Sequence, residues 1–128
     1  MQDIETVRQR LREFATAREW DQFHSPKNLS MALSVEVSEL IECFQWLTEE
    51  QSHSLSPKQL AAVTDEIADV QLYLIRLADK LGVDIDKAVE HKMIKNEAKY
   101  PADKVRGSSK KYNDYEQEES KTSKDKEQ

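Results

Sequence analysis

The stretches Val35–Trp46 (VEVSELIECFQW) and Thr64–Tyr73 (TDEIADVQLY) each place acidic side chains inside an apolar run. Each stretch predicts a helix, and each helix carries two acids spaced three residues apart, which puts the two on one helical face. The acids of the two pairs are Glu36, Glu39, Glu66 and Asp69. Carboxylates beside a hydrophobic core are costly unless a cation compensates them. We therefore expect the rest of the chain to hold the two pairs face to face.

Four carboxylates on two antiparallel helices suit Mg²⁺, with Mn²⁺ as the alternative, because both ions prefer oxygen ligands. One cysteine and three scattered histidines provide no zinc-site spacing. Since Mg²⁺ often binds through substrate phosphates, the acids indicate metal-assisted phosphoryl or nucleotidyl chemistry. The alternative is that the acids pair with Lys92, Lys95 or Lys99 across a helical bundle.

Apolar residues recur at helical spacing through most of the chain, which predicts an all-α protein. The Ser56-Pro57-Lys58-Gln59 segment predicts a capping box, and Gly82 predicts a helix end. The third helix is apolar on most faces, so we expect it to lie in a subunit interface. The predicted helices span Asp3–Arg18, Asn28–Leu47, Pro57–Leu81 and Asp84–Lys99.

Length and composition narrow the function classes. A chain of 128 residues fits one domain, and a net charge of −6 disfavours a nucleic-acid duplex as partner. Two glycines exclude glycine-rich phosphate-binding loops. Neither a membrane span nor a signal peptide is predicted, and the lone Cys43 is consistent with a reducing cytoplasm.

The connector from Glu19 to Lys27 is unusually aromatic for a loop, with Trp20, Phe23 and His24. One interpretation is that Trp20 and Phe23 close one end of the bundle. The other is that they form a wall against which a flat ligand such as a nucleobase stacks.

The order Glu36-x-x-Glu39 and then Glu66-x-x-Asp69 resembles the ExxE…ExxD signature of the MazG-like all-α nucleotide pyrophosphohydrolases. Further segments are similar to the dCTP pyrophosphatase branch of that family. They are Glu13–Ala15, Trp20–His24, Pro26–Leu29, Phe44–Trp46 and the Lys92–Pro101 pattern.

The resemblance implies a four-helix MazG-like bundle that assembles into a dimer or a dimer of dimers. It implies Mg²⁺-dependent hydrolysis of a nucleoside triphosphate, with dCTP or a modified dCTP first, to the monophosphate and pyrophosphate. Glu36, Glu39, Glu66 and Asp69 would bind the metal, and Glu36 and Glu39 would be catalytic. The implied substrate-binding residues are Trp20, Asp21, Gln22, Phe23, His24, Trp46, Tyr73, Lys92, Lys95, Asn96 and Lys99.

One position departs from the animal enzymes of this branch: Leu11 stands where they carry a histidine near the pocket. A broad-specificity pyrophosphatase for non-standard triphosphates is therefore the first alternative. A non-catalytic helical interaction module is the second. We expect residues 1–113 to form the catalytic domain and residues 114–128 to form a charged, disordered tail.

Overall fold

The computed structural model describes residues 2–108, and within that range every regular element is helical. The all-α prediction is confirmed for these residues. A short 3₁₀ helix at Asp21–Phe23 lies in the aromatic connector. The α-helices are α1 (Ile4–Ala17), α2 (Pro26–Glu42), α3 (Glu49–Ser52), α4 (Pro57–Leu81), α5 (Ile85–Lys99) and α6 (Ala102–Val105).

The starts of α1 and α4 follow from side-chain capping. The Asp3 carboxylate accepts the Thr6 N–H at 2.8 Å, and Ser56 and Gln59 form the predicted capping box. The predicted start of α2 at Asn28 was wrong. Ser25 is the N-cap and accepts the Asn28 N–H at 3.1 Å, with Pro26 at the start of the helix, where its missing N–H costs nothing.

The region between α2 and α4 also differs from the prediction. Helix α2 ends at Glu42, and the chain then tightens into turns in which the Phe44 N–H binds the Ile41 carbonyl at 2.9 Å. The segment predicted as a polar loop contains α3, which begins with a second capping box formed by Thr48 and Gln51.

Helices α1 and α4 end in the same hydrogen-bonded motif. In α4, Gly82 adopts a left-handed φ of 68°, and the Val83 N–H returns to the Ala78 carbonyl at 2.8 Å. In α1 the left-handed position is Glu19, with φ 55°, and the Trp20 N–H returns to the Ala15 carbonyl at 2.9 Å. The motif at Glu19 turns the connector so that Trp20 meets the end of α1.

The chain divides into two compact units, Met1–Ile85 and Asp86–Gln128. In the first unit both α1 and α2 pack against α4. The fully buried apolar side chains of the described residues are few and all lie in this unit: Ala15, Leu29, Val63, Ile75 and Ala78. Helix α4 is therefore the central element, and it positions most of the site.

The second unit contains α5 and α6, whose residues are mostly exposed. The predicted tail at 114–128 lies outside the described residues. None of the helices within 2–108 combines the length and the apolarity that crossing a membrane requires.

Candidate active site

A cluster of carboxylates lies where α2 packs against α4. One carboxylate oxygen each from Glu36, Glu39 and Glu66 lies within 4.8 Å of the other two. The three side chains are half-buried. Three of the four acids predicted to face each other across two helices thus lie together in the fold, and Asp69 is not among these three.

Burial raises the pKa of Glu36 to about 7, and its hydrogen bond with Glu39 and the charges of Glu39, Asp69 and Glu66 add to the rise. Burial also raises the pKa of Glu66, with the charge of Glu39 as the next cause. Asp69 lies one turn after Glu66, and its charge acts on both groups. The cluster is therefore electrostatically strained, because like charges share a partly dehydrated space.

Two oxygens of the cluster, Glu36 Oε2 and Glu66 Oε2, are buried and have no hydrogen-bond partner in the described structure. A buried carboxylate oxygen without a donor is unfavourable. A divalent cation would satisfy both oxygens and relieve the repulsion, and oxygen-only ligation matches the preference of hard cations. The residues present therefore fit a bound divalent metal.

A cavity of about 150 Å³ lies beside the cluster, and it is lined in part by Asp69, whose charge acts on Glu36 and Glu66. Its walls are mainly apolar and aromatic, with one cationic residue. The lining residues are Leu11, Phe14, Trp20, His24, Asp69, Leu72, Tyr73 and Arg76. An aromatic cavity that is continuous with an acidic cluster can hold a flat ring at one end and a metal-bound anion at the other.

The aromatic wall is built by the turn at the end of α1. The Trp20 ring meets the Phe14 ring edge-on, with centroids 5.6 Å apart, and it also meets the His24 ring edge-on, with centroids 6.4 Å apart. The Arg18 guanidinium covers the Phe14 ring at 3.5 Å from its centroid. Trp20 therefore contacts two neighbours in the cavity wall.

An ion network centred on the buried side chain of Asp79 joins α1 to α4. The Asp79 side chain is 3% exposed and accepts hydrogen bonds from Arg12 Nε and Nη2, both at 2.6 Å, and from Arg8 Nη1 at 3.2 Å. The hydrogen bonds from Arg12 are the largest cause that lowers the pKa of Asp79. Arg76 Nη1 lies 3.5 Å from the same carboxylate.

The profile of the MazG-like family matches residues 31–115. The chain belongs to the MazG-like family. Its relatives include dCTP pyrophosphatase 1 of Homo sapiens, 45% identical over 111 residues, and that of Bos taurus, 43% identical over 113 residues. The alignments cover 85% and 87% of this chain but only 65% and 67% of those proteins.

The crystal structure of a pyrophosphatase from Archaeoglobus fulgidus has a similar fold. Its TM-score is 0.74 at 40% identity, over 79% of this chain and 94% of that one. A MazG-like fold is thus supported by both sequence and structure.

In this MazG-like chain, several predicted substrate residues do not line the cavity. Asp21 lies outside it and pairs with Lys80 and with Arg76, and the Gln22 amide donates to the Glu19 carbonyl at 2.9 Å. Phe23 is exposed, and Trp46, just beyond α2, is 86% exposed. Their roles in binding substrate stay predictions.

The predicted basic group of the MazG-like chain lies on α5, in the second unit. All four side chains are exposed: Lys92, Lys95, Asn96 and Lys99. Their role in binding phosphate also stays a prediction.

Sequence reasoning missed Phe14, Leu72 and Arg76 as cavity residues. Phe14 and Leu72 follow ordinary apolar periodicity, so nothing in the sequence separates them from core residues. Arg76 did carry a signal, since it is a lone cation in the apolar run Leu74–Leu77, and such a residue needs a partner when buried.

Proposed function

We propose that this protein is a Mg²⁺-dependent nucleoside triphosphate pyrophosphohydrolase. Its substrate is dCTP or a modified dCTP, and its products are the monophosphate and pyrophosphate. The observation that carries the proposal is the half-buried cluster of Glu36, Glu39 and Glu66 beside an aromatic cavity. The names of the dCTP pyrophosphatase 1 relatives and of the Archaeoglobus fulgidus pyrophosphatase support it.

In the proposed mechanism, Glu36, Glu39, Glu66 and Asp69 would hold Mg²⁺, which would neutralise charge on the phosphates. Glu36 or Glu39 acts as the general base that takes a proton from the water attacking the α-phosphorus. The substrate's base occupies the aromatic cavity. The proposed substrate contacts are the predicted ones: Trp20–His24, Trp46, Tyr73, Lys92, Lys95, Asn96 and Lys99.

Leu11 is the observation that favours a second candidate, a broader pyrophosphatase for non-standard triphosphates. It lines the cavity and offers no hydrogen bond, whereas the resemblance predicts a histidine at this position. A pocket rejects a wrong base mainly through polar groups that the wrong base leaves unpaired. A panel of standard and modified triphosphates, assayed for pyrophosphate release, separates the two candidates.

We also propose that the protein is a cytoplasmic homodimer or a dimer of dimers, with the catalytic domain at 1–113 forming a four-helix bundle. Four exposed apolar residues of α4 stand seven apart, which is the spacing of a helix–helix seam. This α4 stripe consists of Leu60, Ile67, Leu74 and Leu81. In an assembly, the basic face of α5 would contact the triphosphate at a neighbouring subunit's site.

The sharpest test of the activity is Glu39→Gln, which keeps the size of the side chain and removes its charge. We expect pyrophosphate release from dCTP in saturating Mg²⁺ to fall by about 100-fold or more, because a metal ligand or general base is lost. Glu42→Gln is the matched control, since Glu42 lies on the same helix, is exposed and is absent from the cluster. If folded Glu39→Gln retained the wild-type rate, the proposal would be wrong.

A further inference from the structure

Arg76 is a buried cation in the cavity wall, and the proposed chemistry gives it no role. It is 6% exposed and follows Ile75 in the apolar face of α4. A buried guanidinium needs acceptors for its N–H groups, because unpaired buried donors are costly. Its partners therefore reveal what it holds in place.

Each part of the Arg76 guanidinium contacts a different partner. Nη1 lies 3.5 Å from the Asp79 carboxylate, and Nη2 donates to Asp21 at 2.8 Å. Nε donates to Nδ1 of His24 at 3.2 Å. Arg76 thus joins the central helix to two polar residues of the aromatic connector, Asp21 and His24.

The contact with His24 defines the protonation of the imidazole. Arginine has only donors, so Nδ1 of His24 must be the acceptor and cannot carry a proton. A histidine with a bare Nδ1 is neutral and carries its proton on Nε2. In agreement, burial lowers the pKa of His24, and the charges of Arg76 and Lys80 lower it further.

Because His24 lines the cavity and its Nδ1 is occupied, Nε2–H is the polar group that the ring has left for a ligand. We propose that Arg76 is a positioning residue that fixes His24 as a neutral Nε2–H donor, so that the ligand atom meeting His24 is an acceptor. On a nucleobase this acceptor is a carbonyl oxygen or an unprotonated ring nitrogen. This inference rests on the proposed function for the identity of the ligand, but the Arg76–His24 pairing does not.

The ion network explains why Arg76 can hold the ring in one orientation. Asp79 is itself fixed by Arg8 and Arg12 from α1, so the Arg76 guanidinium is held from two sides. A planar donor fork fixed in this way sets direction as well as charge, which lysine cannot do. The geometry of His24 is thereby linked to the packing of α1 on α4.

The first test is long-range ¹H–¹⁵N NMR of the full-length wild-type protein, with His24 assigned by comparison with His24→Phe. We expect proton-bearing Nε2 and bare Nδ1 at neutral pH. We also expect the Nε2–H signal to shift downfield when a non-hydrolysable α,β-imido analogue of dCTP is added with Mg²⁺. A protonated Nδ1 in the wild type, or a ligand response at Nδ1 alone, would overturn the proposal.

The second test separates positioning from stability. Arg76→Met should raise KM for dCTP by about tenfold, the scale of one lost hydrogen bond, with a much smaller change in kcat. In the His24→Phe background the same substitution should change KM no further. An equal rise in both backgrounds would show that Arg76 does not act through His24.

Lys80→Met is the matched control, because Lys80 pairs with Asp21 but makes no contact with His24. Its KM should stay at the wild-type value. If Arg76→Met does not fold, the wild-type spectrum alone still decides the protonation of His24. If the wild type hydrolyses no triphosphate, the proposed function fails, while the spectrum tests the Arg76–His24 pair independently.

Discussion

The folded environment of Glu36 disfavours the ionised form of its carboxyl group. The pKa of its carboxyl rises from an ordinary 4.5 to about 7, first through burial and then through Glu39 and the neighbouring acids. Between these two pH values the folded protein binds more protons than the unfolded chain. The contribution of Glu36 to stability is therefore present at low pH and is lost as the pH rises toward 7.

Glu36→Gln should remove the loss of stability that accompanies ionisation of Glu36, since glutamine has a similar shape and carries no charge for the neighbouring acids to repel. Without divalent metal, the variant should melt at the wild-type temperature near pH 5 and several degrees above it near pH 8. Mg²⁺ should raise the melting temperature of the wild type at the higher pH and that of the variant much less. Thermal melts at several pH values, with and without Mg²⁺, measure both effects.

Glu42→Gln again provides the control and should show no pH-dependent gain. A Glu36→Gln protein that melted below the wild type near pH 8 without metal would contradict the electrostatic account.

At the residue level, the sequence predicted the three acids of the cluster, because spacing on a helix converts directly into a shared face, whereas the fourth predicted acid, Asp69, is not part of it. It predicted the aromatic wall in part: Trp20, His24 and Tyr73 line the cavity, whereas Phe23 and Trp46 do not. The Arg76 network was not predictable in the same way. The contacts that join α4 to α1 and to the connector in this network link residues 52 to 71 positions apart, and no local pattern encodes contacts at that separation.

At the level of elements, the ends of α1 and α4 make a natural comparison. Both adopt the same left-handed terminal residue, but α4 uses Gly82 and α1 uses Glu19. A residue with a Cβ is strained at such a φ value, by about 1–2 kcal/mol. The end of α1 is thus less favourable locally, although it places Trp20 in the cavity wall.

Glu19→Gly should stabilise the protein by ~0.5–1 kcal/mol, because the strain removed slightly exceeds the added entropy of the unfolded chain. Gly82→Ala should have the opposite sign, since no atom lies within 4 Å of the added Cβ and only the backbone strain remains. Urea unfolding of both variants measures the difference. Destabilisation by Glu19→Gly would show that the Glu19 side chain has a stabilising contact.

The starts of α1 and α4 and the end of α4 at Gly82 were predictable, whereas the predicted start of α2 was wrong. Caps at Asp3 and Ser56 are local sequence signals. The end of α2 at Glu42 was not predictable, because the apolar pattern continues to Leu47 while the backbone tightens into turns.

Among the described residues as a whole, many large apolar side chains are exposed to solvent. Few side chains are fully buried, whereas the α4 stripe is 39–58% exposed. Exposed apolar side chains that recur at this spacing are typical of a protein–protein interface. The sequence indicated an interface on this helix through its apolar content, and it could not specify which face is left uncovered.

The double substitution of Ile67 and Leu74 by lysine should therefore break the proposed assembly, because charges would be buried between copies. The mass in solution, measured by light scattering, should fall to that of one chain. Asp65→Lys lies on the opposite side of α4 and should leave the mass unchanged. An unchanged mass for the double variant would place the interface elsewhere.

Helix α4 also fixes the distance between the acidic cluster and Arg76. Glu66, Asp69, Tyr73 and Arg76 follow one another at steps of three and four residues, and together they span about 15 Å along the helix axis. This face of α4 is therefore acidic at one end, at Glu66, and cationic at the other, at Arg76. Under the proposed function, a free base or pyrophosphate would reach only one end of this face, whereas a molecule carrying both a base and a phosphate chain would reach the acidic end and the cavity that Arg76 lines. Under the proposed reaction, cleavage divides the ligand, and neither product retains the full span that held the substrate.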